Sequence, residues 1–197
     1  KMAVKQRLTG DQGAAAGERS IEVNGEKFTI NEATMLGITE AGESNNPNAG
    51  RYDKGPTFSS TITIGGTTTP GSSYATLSAA IADIQACGIT QPTILELSAS
   101  YTSTTETFPV TLRSIQGASA TNTITIRPAS DAIGEVITSS NTTATIDING
   151  GQFWIIDGRP GGVGTGNELS IINTSTLTGG SAIRYINDAS NNTIRYI

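Results

Sequence analysis

Four acidic residues are the first place to look for chemistry. Asp147, Asp157, Glu168 and Asp188 fall in the part of the chain richest in β-forming runs. Sugar hydrolysis sets a carboxylic acid and a carboxylate across the scissile bond, and elimination needs a base, commonly beside calcium held by carboxylates. These four are spread at one per β run or fewer, so they argue against a complete active site within the 197 residues. Asp157-Gly158-Arg159-Pro160 reads as a turn whose carboxylate bonds nearby backbone, and Asp147 as an outward, solvated strand residue. The absence of histidine removes every mechanism that needs an imidazole as base, acid or metal ligand. The expected catalytic, cofactor-binding and metal-binding residues are therefore none.

Other reactive or recognition-prone residues have plain structural readings. Cys87 is alone, so no internal disulfide exists, and it reads as a small buried apolar residue at a helix end. Trp154 beside Phe153 reads as core or inter-strand packing ahead of a sugar-stacking platform. Gly161-Gly162-Val163-Gly164-Thr165-Gly166 follows no strand-to-helix turn, so it is a loop excursion and not a phosphate cradle. Thr-x-Thr pairs at 61 and 63, 123 and 125, and 143 and 145 suggest an ice-ordering array, but Arg127 and Asp147 interrupt it.

The elements that must position these residues divide the chain unevenly. Net charge is -5, which disfavours nucleic acid and anionic membrane surfaces as partners. No apolar run approaches the roughly 20 residues of a membrane helix, so membrane insertion is not expected. Residues 1–54 carry 15 charged side chains, against 14 in the 143 residues that follow. The boundary falls near Asn45-Asn46-Pro47-Asn48-Ala49-Gly50. The opening Lys1-Met2-Ala3-Val4-Lys5-Gln6-Arg7-Leu8 is charged without an apolar stretch behind it, so it does not read as a signal peptide. Residues 10–17 read as a flexible or extended arm.

Ser20 to Ile30 carries a hairpin signal centred on Asn24-Gly25, whose type I′ turn puts Ile21 opposite Phe28 and Glu22 opposite Lys27. A lone two-stranded hairpin is marginal in water, so it docks either on its own domain or into a larger assembly. After a short strand, Thr61-Ile62-Thr63-Ile64, and a turn-rich linker, Leu77, Ile81 and Ile84 mark one face of a helix over Tyr74–Ala86. Ser73 is placed to cap it and Gly88 to close it.

Beyond Gly88, short β runs recur. Ile124 to Ile146 is 22 positions, Ile148 to Ile171 is 23, Ile171 to Ile194 is 23, and Ile-Arg-Tyr-Ile occurs at 183–186 and again at 194–197. Such an interval, without hairpin dipeptides between the runs, favours a parallel β-solenoid of about 22 residues per coil over an antiparallel sandwich. In it Ile124 and Ile126 stack over Ile146 and Ile148, with Thr123 and Thr125 over Thr145 and Asp147 on the outer face. The domain organisation so expected is an arm and hairpin at 1–57, a strand and linker at 58–73, a capping helix at 74–88, and β-helix coils at 89–197. The last of these is expected to be truncated at Ile197.

Thr61 to Gly66, Tyr74 to Ile81, Ala118 to Ile126, Ile156-Asp157-Gly158-Arg159 and Ile186 to Asn192 together resemble the opening coils of large secreted β-helix proteins of Bacteroidota. The resemblance covers about 61–197 and leaves 1–57 unmatched. It implies an all-β, right-handed parallel β-helix of the pectate-lyase-like kind, and the surface-adhesin role ascribed to many such proteins. The expected function is a non-catalytic structural and adhesive stalk, anchored through residues 1–57 to a larger extracellular assembly. That assembly is a virion or particle fibre or spike, or a bacterial surface adhesin. A homotrimer and a glycan target on distal coils are the accompanying partner expectations, with no cofactor. The alternative is a polysaccharide lyase or glycoside hydrolase whose site lies beyond residue 197.

Overall fold

A computed structural model describes residues 18–23, 26–31 and 58–197. The arm at 10–17, the Asn24-Gly25 turn and the boundary loop at 45–50 lie outside the described residues. The chain divides into two compact units, Lys1–Lys54 and Gly55–Ile197.

In the first unit β1 (Glu18–Val23) and β2 (Glu26–Asn31) pair antiparallel, with Ile21 opposite Phe28 and Glu22 opposite Lys27. The register expected from a two-residue Asn-Gly connection is the one formed.

Among its described residues the second unit is mostly β, with one α-helix. Its strands are β3 (Thr61–Ile64), β4 (Ser73–Tyr74), β5 (Thr93–Leu97), β6 (Val110–Leu112), β7 (Ile124–Pro128), β8 (Glu135–Ser139) and β9 (Ala144–Asn149). They continue with β10 (Trp154–Asp157), β11 (Leu169–Asn173), β12 (Ser181–Ile186) and β13 (Thr193–Arg195), and α1 spans Leu77–Cys87. Every strand pair in this unit is parallel. The sheets have the orders β13-β10-β7-β5-β3-β4, β12-β9-β6 and β11-β8.

This corrects the expected right-handed parallel β-helix. The strands lie in separate sheets of six, three and two, not in a solenoid with 22-residue coils. Ile124 and Ile126 lie opposite Trp154 and Ile156, 30 positions on. Ile146 and Ile148 belong to a different sheet, between Val110 and Leu112 on one side and Ile183 and Tyr185 on the other. Apart from β3 with β4, whose paired positions are 10 residues apart, paired positions are 30 to 38 residues apart, from Thr125 with Ile155 to Ile155 with Thr193. The misreading has a physical cause. Alternating apolar residues mark a half-buried strand in any sheet, so the interval between look-alike runs does not say which runs share hydrogen bonds.

Alternation still builds the core. Ile62 and Ile64, Leu95 and Leu97, and Ile124 and Ile126 are wholly buried, and they pack in one apolar cluster with Leu112, Ile146, Ile148, Trp154 and Ile156. Strand β9 breaks the rule, because Ala144 through Ile148 are buried on both faces. Residues two apart point the same way in a strand, so Thr145 and Asp147 are covered from the side opposite the core.

Helix α1 adds Leu77, Ala80, Ile81 and Ile84 to that cluster. Its start differs from expectation. Ser73 and Tyr74 are strand, and the cap is Thr76, whose hydroxyl accepts from the Ala79 N–H. A residue can cap only if its own backbone is extended directly before the first turn, and Thr76 meets that condition. Gly88 closes the helix at φ 74°, its N–H donating to the Ile84 carbonyl. Cys87 is exposed, contrary to the buried reading, because it falls off the stripe carried by Leu77, Ile81 and Ile84.

Candidate functional site

The residues with chemical potential sit within strands or at their last position, next to core residues. On the six-stranded sheet, Leu95-Glu96-Leu97 buries its leucines and leaves Glu96 on the opposite face, across from Arg127. Arg127 donates from Nε and Nη2 to Glu96 Oε1 at 3.0 and 2.8 Å. One residue past the paired Ile126 and Ile156 stand Arg127 and Asp157, and Asp157 lies opposite Arg195. The row across β5, β7, β10 and β13 thus alternates in sign: Glu96, Arg127, Asp157, Arg195.

Asp157 is the centre of the densest cluster. It is only 1% exposed. Arg159 grips it with two prongs, Nε to Oδ1 at 2.9 Å and Nη2 to Oδ2 at 2.7 Å, and the Arg159 N–H adds a bond to Oδ1 at 3.2 Å. Arg195 donates from Nε to Oδ2 at 3.0 Å, and its Nη2 forms an ion pair with the same oxygen at 2.8 Å. Above the pair, the Arg159 guanidinium lies 4.7 Å from the centre of the Tyr196 ring. Burial alone would raise the carboxyl pKa, but the arginine and backbone hydrogen bonds outweigh it and hold Asp157 at about 2. The turn reading of Asp157 captured the Arg159 N–H bond and missed the two guanidiniums.

The second sheet repeats the device. Asp147, 3% exposed, receives Arg184 Nε on Oδ1 at 2.9 Å and Arg184 Nη2 on Oδ2 at 3.0 Å. The solvated reading of Asp147 is therefore corrected, since its cover is supplied by the neighbouring strand. Beside it, Thr145 donates to the Ile172 carbonyl at 2.8 Å and shares a 2.7 Å bond with Ser139.

The remaining candidates are separated. Glu168 is 2.9 Å from the Gly134 N–H and braces a loop. Asp188 is exposed in a left-handed turn at φ 57°. Trp154 is wholly buried, its Nε1 donating to the Arg113 carbonyl at 2.9 Å. Glu106, which sequence reading passed over, accepts from the N–H groups of Leu77 and Ser78 and from the Ser78 and Tyr101 hydroxyls. It places an anion at the positive end of α1.

A charge between two apolar residues was the available signal for the ladder. Leu-Glu-Leu at 95–97, Ile-Asp-Ile at 146–148 and the doubled Ile-Arg-Tyr-Ile all carry it. Chemically the ladder binds strands together, because an Asp held near 2 is a poor base and already has its acceptor sites filled. Among the described residues no group of three or more His, Cys, Asp or Glu side chains is placed to hold a metal ion, and no helix is long and apolar enough to cross a membrane. No protein-family model, curated protein or solved structure matches the chain.

Proposed function

We propose that the chain is a non-catalytic structural and adhesive module of a larger extracellular assembly, attached through residues 1–57. The assembly is a particle or virion fibre, or a bacterial cell surface. One observation carries this reading. The strand acids Glu96, Asp147 and Asp157, the groups a polysaccharide-cleaving site would draw on, are each committed to an arginine of a neighbouring strand. Charge used in this way stiffens a scaffold and leaves the Thr-rich outer positions as the contact surface.

Two measurements on the native source test it. Antibody labelling of intact cells and of purified extracellular particles should mark one of them on its outer surface, and the purified chain should leave acidic polysaccharides uncut. Label found only after cell lysis would overturn the extracellular reading. Polysaccharide turnover lost on an Asp157→Asn or Asp147→Asn change would overturn the non-catalytic one.

A further inference from the structure

Strand β8 turns an acid inward. Glu135, Ile137 and Ser139 point into the unit while Val136 and Thr138 point out, and Glu135 is only 9% exposed. The other polar residue on that face is satisfied, because Ser139 shares its bond with Thr145. Glu96, Glu106, Asp147, Asp157 and Glu168 each hold at least one donor. Among the described residues the Glu135 carboxylate holds none, and burial is what acts on it.

The groups around Glu135 offer no cation. From the 101–106 segment come Tyr101 and Glu106. Burial raises the Tyr101 pKa, and the charges of Glu106 and Glu135 raise it further, so the phenol keeps its proton and donates it to Glu106. From the side of β11 comes Glu168, which accepts from the Gly134 N–H. From β9 comes Asp147, already paired with Arg184. Asp131 is exposed on the loop ahead of β8. Of the arginines in the second unit, Arg127, Arg159, Arg184 and Arg195 pair with Glu96, Asp157 and Asp147, and Arg113 is exposed beyond β6. A buried carboxyl without a partner is penalised only when ionised, which raises its pKa.

The same place joins three elements. The Thr138 N–H of β8 donates to the Ser103 hydroxyl at 3.1 Å, Tyr101 donates to Glu106 at 3.1 Å, and Glu106 in turn holds the N–H groups of Leu77 and Ser78 at the start of α1. We propose that Glu135 is a proton-binding site that sets how tightly β8 closes on the 101–106 segment, closed when the carboxyl is neutral and loosened when it is ionised. Proton uptake makes one O–H bond on the carboxylate and removes one buried charge from the seam. The folded chain binds this proton more tightly than the unfolded chain. The stabilisation is therefore complete below the ordinary glutamate range and is lost as pH rises through the folded pKa. Asp157 has the opposite sign. Nothing in this inference depends on what the chain attaches to.

The full chain with 13C-labelled glutamate reads the proton directly. The Glu135 carboxyl resonance, assigned by its loss in Glu135→Gln, should titrate above the ordinary value of 4.5, and titration at or below that value would overturn the proposal. Urea unfolding followed through Trp154, the single tryptophan, should give an unfolding constant that rises with pH across the same window, by at most tenfold per pH unit for one proton. Glu135→Gln should lack that rise, and equal pH dependence in the two chains would count against the site. Hydrogen exchange, corrected for its intrinsic pH dependence, should show amides at 135–139 losing protection relative to β5 between pH 5 and pH 8 in the unmodified chain. Unchanged relative protection would refute the coupling to the seam. Calcium chloride should leave the Glu135 titration in place, and a downward shift would make the carboxylate a cation ligand and sink the proposal.

Discussion

Asp157 accepts hydrogen bonds from two arginines that lie two and 38 positions along the chain, and both contribute to keeping it charged while buried. Removing the charge leaves both guanidiniums short of an acceptor, so Asp157→Asn should cost about 2 kcal/mol in urea unfolding, below the full cost of breaking a buried pair because the arginines are partly exposed. Its pH dependence has a definite sign. The folded pKa of about 2 lies below the ordinary value of 3.8, so the stabilisation is complete above pH 4 and is lost as pH falls toward 2. The Asn variant should lack that acid-dependent component. Glu135 behaves oppositely, since burial raises its carboxyl pKa and the charged form is penalised in the fold. Glu135→Gln should be neutral or stabilising by up to about 1 kcal/mol at pH 7, and a clear loss in thermal unfolding would contradict this. That Asp157 bonds its own turn was legible from Asp-Gly-Arg-Pro. The burial of Asp147 was not, because its cover comes from Arg184, 37 positions away.

At the scale of elements, local rules held wherever the partner was local. The register of β1 with β2 is the one expected for a two-residue connection, and the spacing of Leu77, Ile81 and Ile84 set the buried face of α1. The start of α1 shifted because Ser73 and Tyr74 pair with Thr63 and Ile64, and that sheet contact overrides helix periodicity. Thr76→Ala should cost about 1 kcal/mol, seen as a lower urea midpoint with faster exchange in the first turn of the helix. Gly158 illustrates a different requirement. A Cβ built there would fall 1.5 Å from the Tyr196 carbonyl oxygen, so the backbone of the last strand approaches at a distance only glycine permits. Gly158→Ala should displace β13, accelerating exchange at 193–195 while amides of β5 and β7 stay protected. Uniform exchange across all the strands would contradict it.

At the scale of the whole second unit, three parallel sheets share one apolar core, and Trp154 sits in it with its indole N–H satisfied by Arg113. Trp154→Ala should cost about 3–5 kcal/mol in urea unfolding through the cavity it leaves and the carbonyl it strands. The sequence by itself determined the hairpin and its register, the helix and its inner face, the identity of the inward residues, and the acidic, histidine-free chemistry that excludes imidazole catalysis. Only the tertiary structure decided which strands are neighbours, and with that the division into separate sheets and the alternating row of charges. The physical reason is the range of the forces involved. Turn, cap and alternation preferences act within a few residues and are written in the local pattern. Every parallel pair but β3 with β4 joins positions 30 to 38 apart, and every half-buried strand offers the same backbone groups, so the choice of partner rests on how the intervening loops fold and how the core fills.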